Sequence, residues 1–177
     1  MQINNKIPFH EFEIRQCNLD DLNLILNLQN ETLSNLTEKD LLRENSVDML
    51  EECLCNPHVT IGAWYKGELA GFSVLYFPTK DEENLSLSLK DVDISQAKVA
   101  NNKLCIVRSK YFGNSLQYHL GTLIEEYAKG KNINLLCATV SPKNKYSLNN
   151  MERLGYICNR TLEKYGFERK LFYKVIK

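Results

Sequence analysis

The chain has 177 residues, 44% of them hydrophobic and 25% charged, the make-up of one ordinary globular domain without long disordered tracts. Its 22 basic residues are matched by 22 acidic ones, so it lacks the cationic excess with which a duplex-binding module neutralises phosphates. Its apolar runs are too short to cross a bilayer and the polar stretch 1–10 carries no signal-peptide core; the expectation is a cytoplasmic protein with no nucleic-acid or membrane partner.

In chain order, Phe12–Gln16 alternates apolar and polar residues as a half-buried strand does. Asn18 and Asp21 then form a helix-start signal resembling a capping box, and Leu22, Ile25 and Leu26 continue on one helical face. A short helix is expected at Val47–Leu54, ending before Asn56-Pro57. Val59–Tyr65 and Leu69–Phe77 read as a hairpin around Lys66-Gly67-Glu68. Pro78–Lys98 is charged, lacks glycine and shows no period; it reads as loop or short helix and as the place for substrate-facing variation. Leu104–Val107 has the apolar run of a buried strand. Leu116, Leu120, Leu123, Ile124 and Tyr127 follow at helical spacing up to Gly130. Asn134–Val140 reads as a buried strand, Ser147–Leu154 as a helix stopped by Gly155, and Tyr156–Arg160 and Lys170–Ile176 as final strands. This order predicts a single domain of mixed α/β class with a strand–helix–strand crossover at its centre.

The six cysteines are scattered. The one close pair, Cys53-Leu54-Cys55, has neither zinc-knuckle nor redox spacing, so reduced structural thiols and no metal are expected. Chemistry concentrates in two segments. In the first, a buried strand feeds the polar loop Arg108–Ser115, which contains Gly113 and opens into a helix. Successive N–H groups at such a helix start can hold an anion, although an ordinary tight turn has the same pattern. In the second, Asn144 and Ser147 open a helix that Leu154-Gly155-Tyr156 closes, a pattern also produced by simple capping.

Together, in this order and each after a buried strand, the two segments resemble the signatures of the GNAT superfamily of N-acetyltransferases. Lys110-Tyr111-Phe112-Gly113-Asn114-Ser115 stands for its Gln/Arg-x-x-Gly-x-Gly/Ala loop. Asn144 and Leu154-Gly155-Tyr156 stand for its second signature. The run Ala138–Asn150 and the late Lys164-Tyr165-Gly166 are similar to one bacterial branch. The resemblance implies one domain with a largely antiparallel sheet of about six to seven strands, flanked by helices and splayed between strands 4 and 5. It implies acetyl-CoA as co-substrate. The pantetheine would pair with Cys105, Ile106 and Val107, a fourth-strand N–H such as that of Val107 would stabilise the oxyanion, and the pyrophosphate would sit on Phe112, Gly113, Asn114, Ser115 and Leu116 beside Lys110. Asn144 and Ser147 would reach the pantetheine from the next helix.

The departures from the pattern are Phe112 for the loop arginine, Ser115 for its second glycine, Met151 for the tyrosine that often serves as acid, and Lys103 for a fourth-strand carboxylate. Tyr146 and Tyr165 are candidate substitute acids and Glu163 or a relayed water a candidate base, with ordinary aromatic packing and a solvated surface carboxylate as the alternative reading of each. The implied activity is acetyl transfer to a small-molecule or peptide primary amine, with a homodimer admitted. The alternative is a GNAT-derived module that binds acyl-CoA or a protein partner with little catalysis.

Overall fold

The computed structural model describes residues 6–177; residues 1–5, the start of the polar N-terminal stretch, lie outside the described residues. One seven-stranded sheet organises the described residues. Its strands are β1 (Glu13–Gln16), β2 (Val59–Tyr65), β3 (Glu68–Tyr76), β4 (Val99–Val107), β5 (Leu135–Val140), β6 (Ile157–Lys164) and β7 (Phe167–Val175), in the spatial order β1-β2-β3-β4-β5-β7-β6. Every neighbouring pair is antiparallel except β4 and β5. Among the described residues four helices flank it: α1 (Leu22–Asn35), α2 (Val47–Cys53), α3 (Leu116–Gly130) and α4 (Lys145–Arg153). The expected mixed α/β class, strand count and crossover are therefore present.

Local chemistry explains the boundaries. The Asn18 side chain accepts the Asp20 N–H at 2.8 Å while Asp21 accepts the Asn18 N–H at 3.0 Å, so the capping box starts the helical region as expected. Asp21 also holds both terminal nitrogens of Arg15 at 2.8 Å, tying that start to β1. Lys66-Gly67 and Tyr165-Gly166 both take positive φ at both positions, the backbone of a tight two-residue hairpin turn, and so join β2 to β3 and β6 to β7.

The sheet buries both faces. Leu28 and Ile25 of α1 and Leu50 of α2 cover Phe72, Val74, Leu104 and Ile106 on one face. Leu120, Ile124 and Ala128 of α3, spaced along one helical side, cover Ile61, Ala63, Ala70 and Leu136 on the other, with Met151 and Leu154 of α4 beside them. The segment after β3 forms short 3-10 turns at Asp81–Glu83 and Leu85–Ser88 rather than a helix. Leu85 from it meets Leu135, Cys137 and Leu171 on the α1 side of the sheet.

Candidate functional site

β4 and β5 pair only at Val99–Leu135, Ala100–Leu136 and Asn101–Cys137, although β4 continues to Val107 and β5 to Val140. Beyond Asn101 the strands part and leave a cleft of about 110 Å³. Asn102–Cys105 form one wall and Ala138–Ser141 the other. Gln117, Asn144, Ser147 and Met151 enter from the α3–α4 side, and Leu42, Arg43, Leu85, Tyr165 and Arg169 from the opposite side.

The edge of β4 inside this gap follows from strand alternation. Arg108 donates its N–H to Ala70 of β3 at 2.8 Å, and Ile106 stands opposite Phe72 two positions earlier. The backbone groups of Cys105 and Val107 therefore turn the other way, toward the edge that β5 has left. Ile106 differs from the sequence expectation: its backbone faces β3 and its side chain is buried under α1 and α2, so the trio expected to meet a pantetheine reduces to Cys105 and Val107 at the open edge.

At the end of β4 the loop turns sharply. The Phe112 N–H donates to the Ser109 carbonyl at 3.0 Å, so the row of N–H groups without an acceptor among the described residues starts at Gly113 and runs through Asn114, Ser115 and Leu116. Gly113 has φ +87° with open space where a Cβ would stand, and Ser115 takes the left-handed φ of 57°, tolerating a conformation the resembled glycine would adopt freely. The Asn114 side chain braces the loop, accepting the Ile7 N–H at 2.8 Å and donating to the Tyr111 carbonyl at 2.9 Å. The loop cations are engaged elsewhere. Lys110 pairs with Glu68, which also accepts the Tyr111 hydroxyl at 2.6 Å; Arg108 pairs with Glu31. The hydrogen bonds from Lys110 and Tyr111 hold the Glu68 carboxyl below its usual range.

On the facing helix, Asn144 is the N-cap and accepts the Ser147 N–H at 3.1 Å. Ser147 accepts from Gln117 at 3.1 Å, and Gln117 accepts from Asn150 at 3.0 Å, so α3 and α4 are locked together at the cleft rim with the Ser147 hydroxyl proton left to donate. Met151 lies at the cleft, 6% exposed, with no proton to give. Tyr146 is 83% exposed and outside the cleft, whereas Tyr165 lines it. Desolvation, with the Glu83 charge behind it, raises the Tyr165 phenol above its ordinary value and keeps it protonated. Glu163 lies exposed on β6, away from the cleft.

Several groups carried no signal as isolated residues in the sequence. Glu83 of the first 3-10 turn accepts Lys103 Nζ at 2.7 Å and stands 3.7 Å from Arg43, so the lysine that stands where the resemblance expects a β4 carboxylate is itself buried against a carboxylate from the loop. Asn101, at the point where the strands part, donates to the Glu83 carbonyl at 2.6 Å and leaves its own buried Oδ1 without a partner among the described residues. Arg169 follows the inward alternation of Leu171 and Tyr173, the one pattern that could have exposed it. Among the described residues no group of His, Cys, Asp and Glu could hold a metal, and no helix is long and apolar enough to cross a membrane. The six cysteines are unpaired, and burial pushes the Cys17, Cys53 and Cys137 thiols up to about 12.

No protein-family model matches the sequence, and no curated protein matches it. Solved structures do match the fold. A GNAT-family acetyltransferase from Listeria monocytogenes superposes with a TM-score of 0.71 at 19% identity, covering 97% of this chain and 100% of that one. A ribosomal-protein-alanine N-acetyltransferase from Brucella melitensis gives 0.70 at 16% identity, covering 93% and 99%. The yncA protein of Salmonella typhimurium, solved with its cofactor acetyl-CoA, gives 0.70 at 14% identity, covering 94% and 95%. The chain has the GNAT acetyltransferase fold.

Proposed function

We propose that the protein is an N-acetyltransferase that moves an acetyl group from acetyl-CoA to a primary amine. The observation that carries this reading is the parting of β4 from β5 after Asn101, with the unpaired Gly113–Leu116 N–H groups at its open end. A strand edge can pair with the amides of a pantetheine arm, and a helix start with free donors suits a pyrophosphate. Cys105, Val107, Asn144 and Ser147 would hold the arm, and Gly113, Asn114, Ser115 and Leu116 the phosphates.

A thioester held there supplies an activated acetyl group for direct attack by the amine, forming the C–N bond as the C–S bond breaks. The Val107 N–H, turned to the open edge, would stabilise the negative charge that develops on the thioester oxygen, and confining both reactants supplies much of the rate. Tyr165 holds a proton for the leaving thiolate. Among the described residues no carboxylate lines the cleft, so the ammonium proton leaves through water, with Glu83 standing behind Lys103. A second reading, acyl-CoA binding with little turnover, is favoured by Met151 and by the Lys103–Glu83 pair.

Acetyl-CoA at about a hundred times its dissociation constant is expected to raise the melting temperature by about 5–10 °C. Gly113→Glu places bulk and negative charge among the free donors and should abolish that rise while circular dichroism stays unchanged. Thiol release above background with an amine panel separates enzyme from binder. No thermal rise in the wild type would sink both readings.

A further inference from the structure

Arg169 is 4% exposed, and its Nε and Nη2 are buried with no hydrogen-bond partner among the described residues. These two nitrogens form one edge of the guanidinium plane, the edge whose parallel N–H groups fit the two oxygens of a carboxylate. A buried guanidinium left unpaired on that edge is costly and calls for a partner. The surroundings do not supply one. Burial disfavours the cation and lowers its pKa; the negative charge of Asp40 pulls the other way, but that carboxylate is held by Lys143 at 3.3 Å. Arg43 opposes it as a second cation, stacked on Tyr165 at 3.6 Å and 3.7 Å from Glu83. Phe167 presents a ring 5.6 Å away. Arg169 lines the cleft on the side opposite Asn144 and Ser147, beside Leu42 and Leu85.

We propose that the acceptor is an amine bearing a carboxylate, of amino-acid class, and that its carboxylate takes the Nε–Nη2 edge of Arg169. This rests on the acetyl-transfer reading, in which the cofactor occupies the α3–α4 side and the acceptor enters from the side of Arg43, Tyr165 and Arg169. The same edge can take two oxygens of a phosphate but leaves its further oxygen and charge unmet, and the small cleft, walled by leucines on this side, suits a compact carboxylate.

The test is calorimetry with the proteinogenic amino acids and their carboxamides, which keep the amine and remove the negative charge, with and without acetyl-CoA. The wild type should bind its preferred acid about tenfold to a hundredfold more tightly than the matching carboxamide. R169M should erase that preference, R169K should restore part of it, and both should bind acetyl-CoA as the wild type does. R169M should also melt at or above the wild type, because it removes a buried charge without a protein partner. Carboxamides binding as well as acids, no acid binding at all, a preference that survives R169M, or an R169M protein that melts well below the wild type would each overturn the subsite. Failure of acetyl-CoA to bind the wild type while acids still outrank carboxamides overturns acetyl transfer and leaves the carboxylate subsite standing.

Discussion

Tyr146 and Tyr165 carry the same phenol into opposite environments. Tyr146 stands in the first turn of α4 with its ring in solvent; Tyr165 occupies a left-handed position at the tip of the β6–β7 hairpin, where Arg43 covers its ring and desolvation keeps its proton. An acid that serves the leaving thiolate must reach the cleft, and of the two only Tyr165 lines it. Tyr165→Phe is therefore expected to lower kcat about a hundredfold with little change in acetyl-CoA affinity, and Tyr146→Phe to leave both unchanged. Steady-state kinetics on an identified acceptor checks this. Equal rates for Tyr165→Phe and the wild type would remove the phenol from the chemistry and leave proton transfer to Ser147 or water.

At the scale of elements, one glutamine fixes the loop that forms the Arg43–Arg169 side of the cleft. Gln29 of α1 is fully buried, donates to the Asn45 carbonyl at 2.9 Å and accepts the Asn45 N–H at 3.0 Å and its side-chain amide at 3.2 Å. These bonds hold the stretch 36–46 that carries Leu42 and Arg43. Gln29→Ala leaves buried donors and acceptors unmet and should cost about 2–4 kcal/mol of stability by denaturant titration. Limited proteolysis should cut first in 36–46, and a cleavage pattern like that of the wild type would show that the loop is held by other contacts. The same element view explains what the sequence disclosed. The side of the cleft proposed for the cofactor could be read because it is local: loop and helix start are contiguous at Ser109–Leu116, and the cap and hydroxyl of α4 lie three residues apart. The opposite side could not, since Arg43, Glu83, Lys103 and Arg169 meet only after three long excursions of the chain. Pro78–Lys98 stayed unreadable because turns of three or four residues leave no period to detect. The last hairpin was drawn too short, since β6 is half exposed along its length and its charged residues hide the alternation.

For the whole molecule, proton binding sets which side of neutrality the fold tolerates. His58 is 4% exposed, stacks on Tyr76 at 4.2 Å and uses Nδ1 to accept the Phe77 N–H at 3.1 Å, so it is built in as a neutral ring. Desolvation lowers its pKa below the ordinary 6.5, against the pull of Glu52, while Lys103 adds to the lowering. His119, stacked on Phe9 at 4.1 Å, is shifted the same way by desolvation and by Arg153. The folded state therefore binds fewer protons than the unfolded chain just below pH 6.5, and stability falls as the pH drops from there through the folded values. Asp21 adds a second, more acid step: its hydrogen bonds to Arg15 lower its pKa below 3.8, and that contribution is lost as the pH falls through the folded value. Denaturation free energy measured from about pH 8 to pH 5 should decline below about pH 6.5. His58→Gln, whose amide oxygen can still accept the Phe77 N–H, should flatten the decline in part, and adding His119→Gln should flatten it further. A slope unchanged in the double variant would place the acid sensitivity in the carboxylates alone.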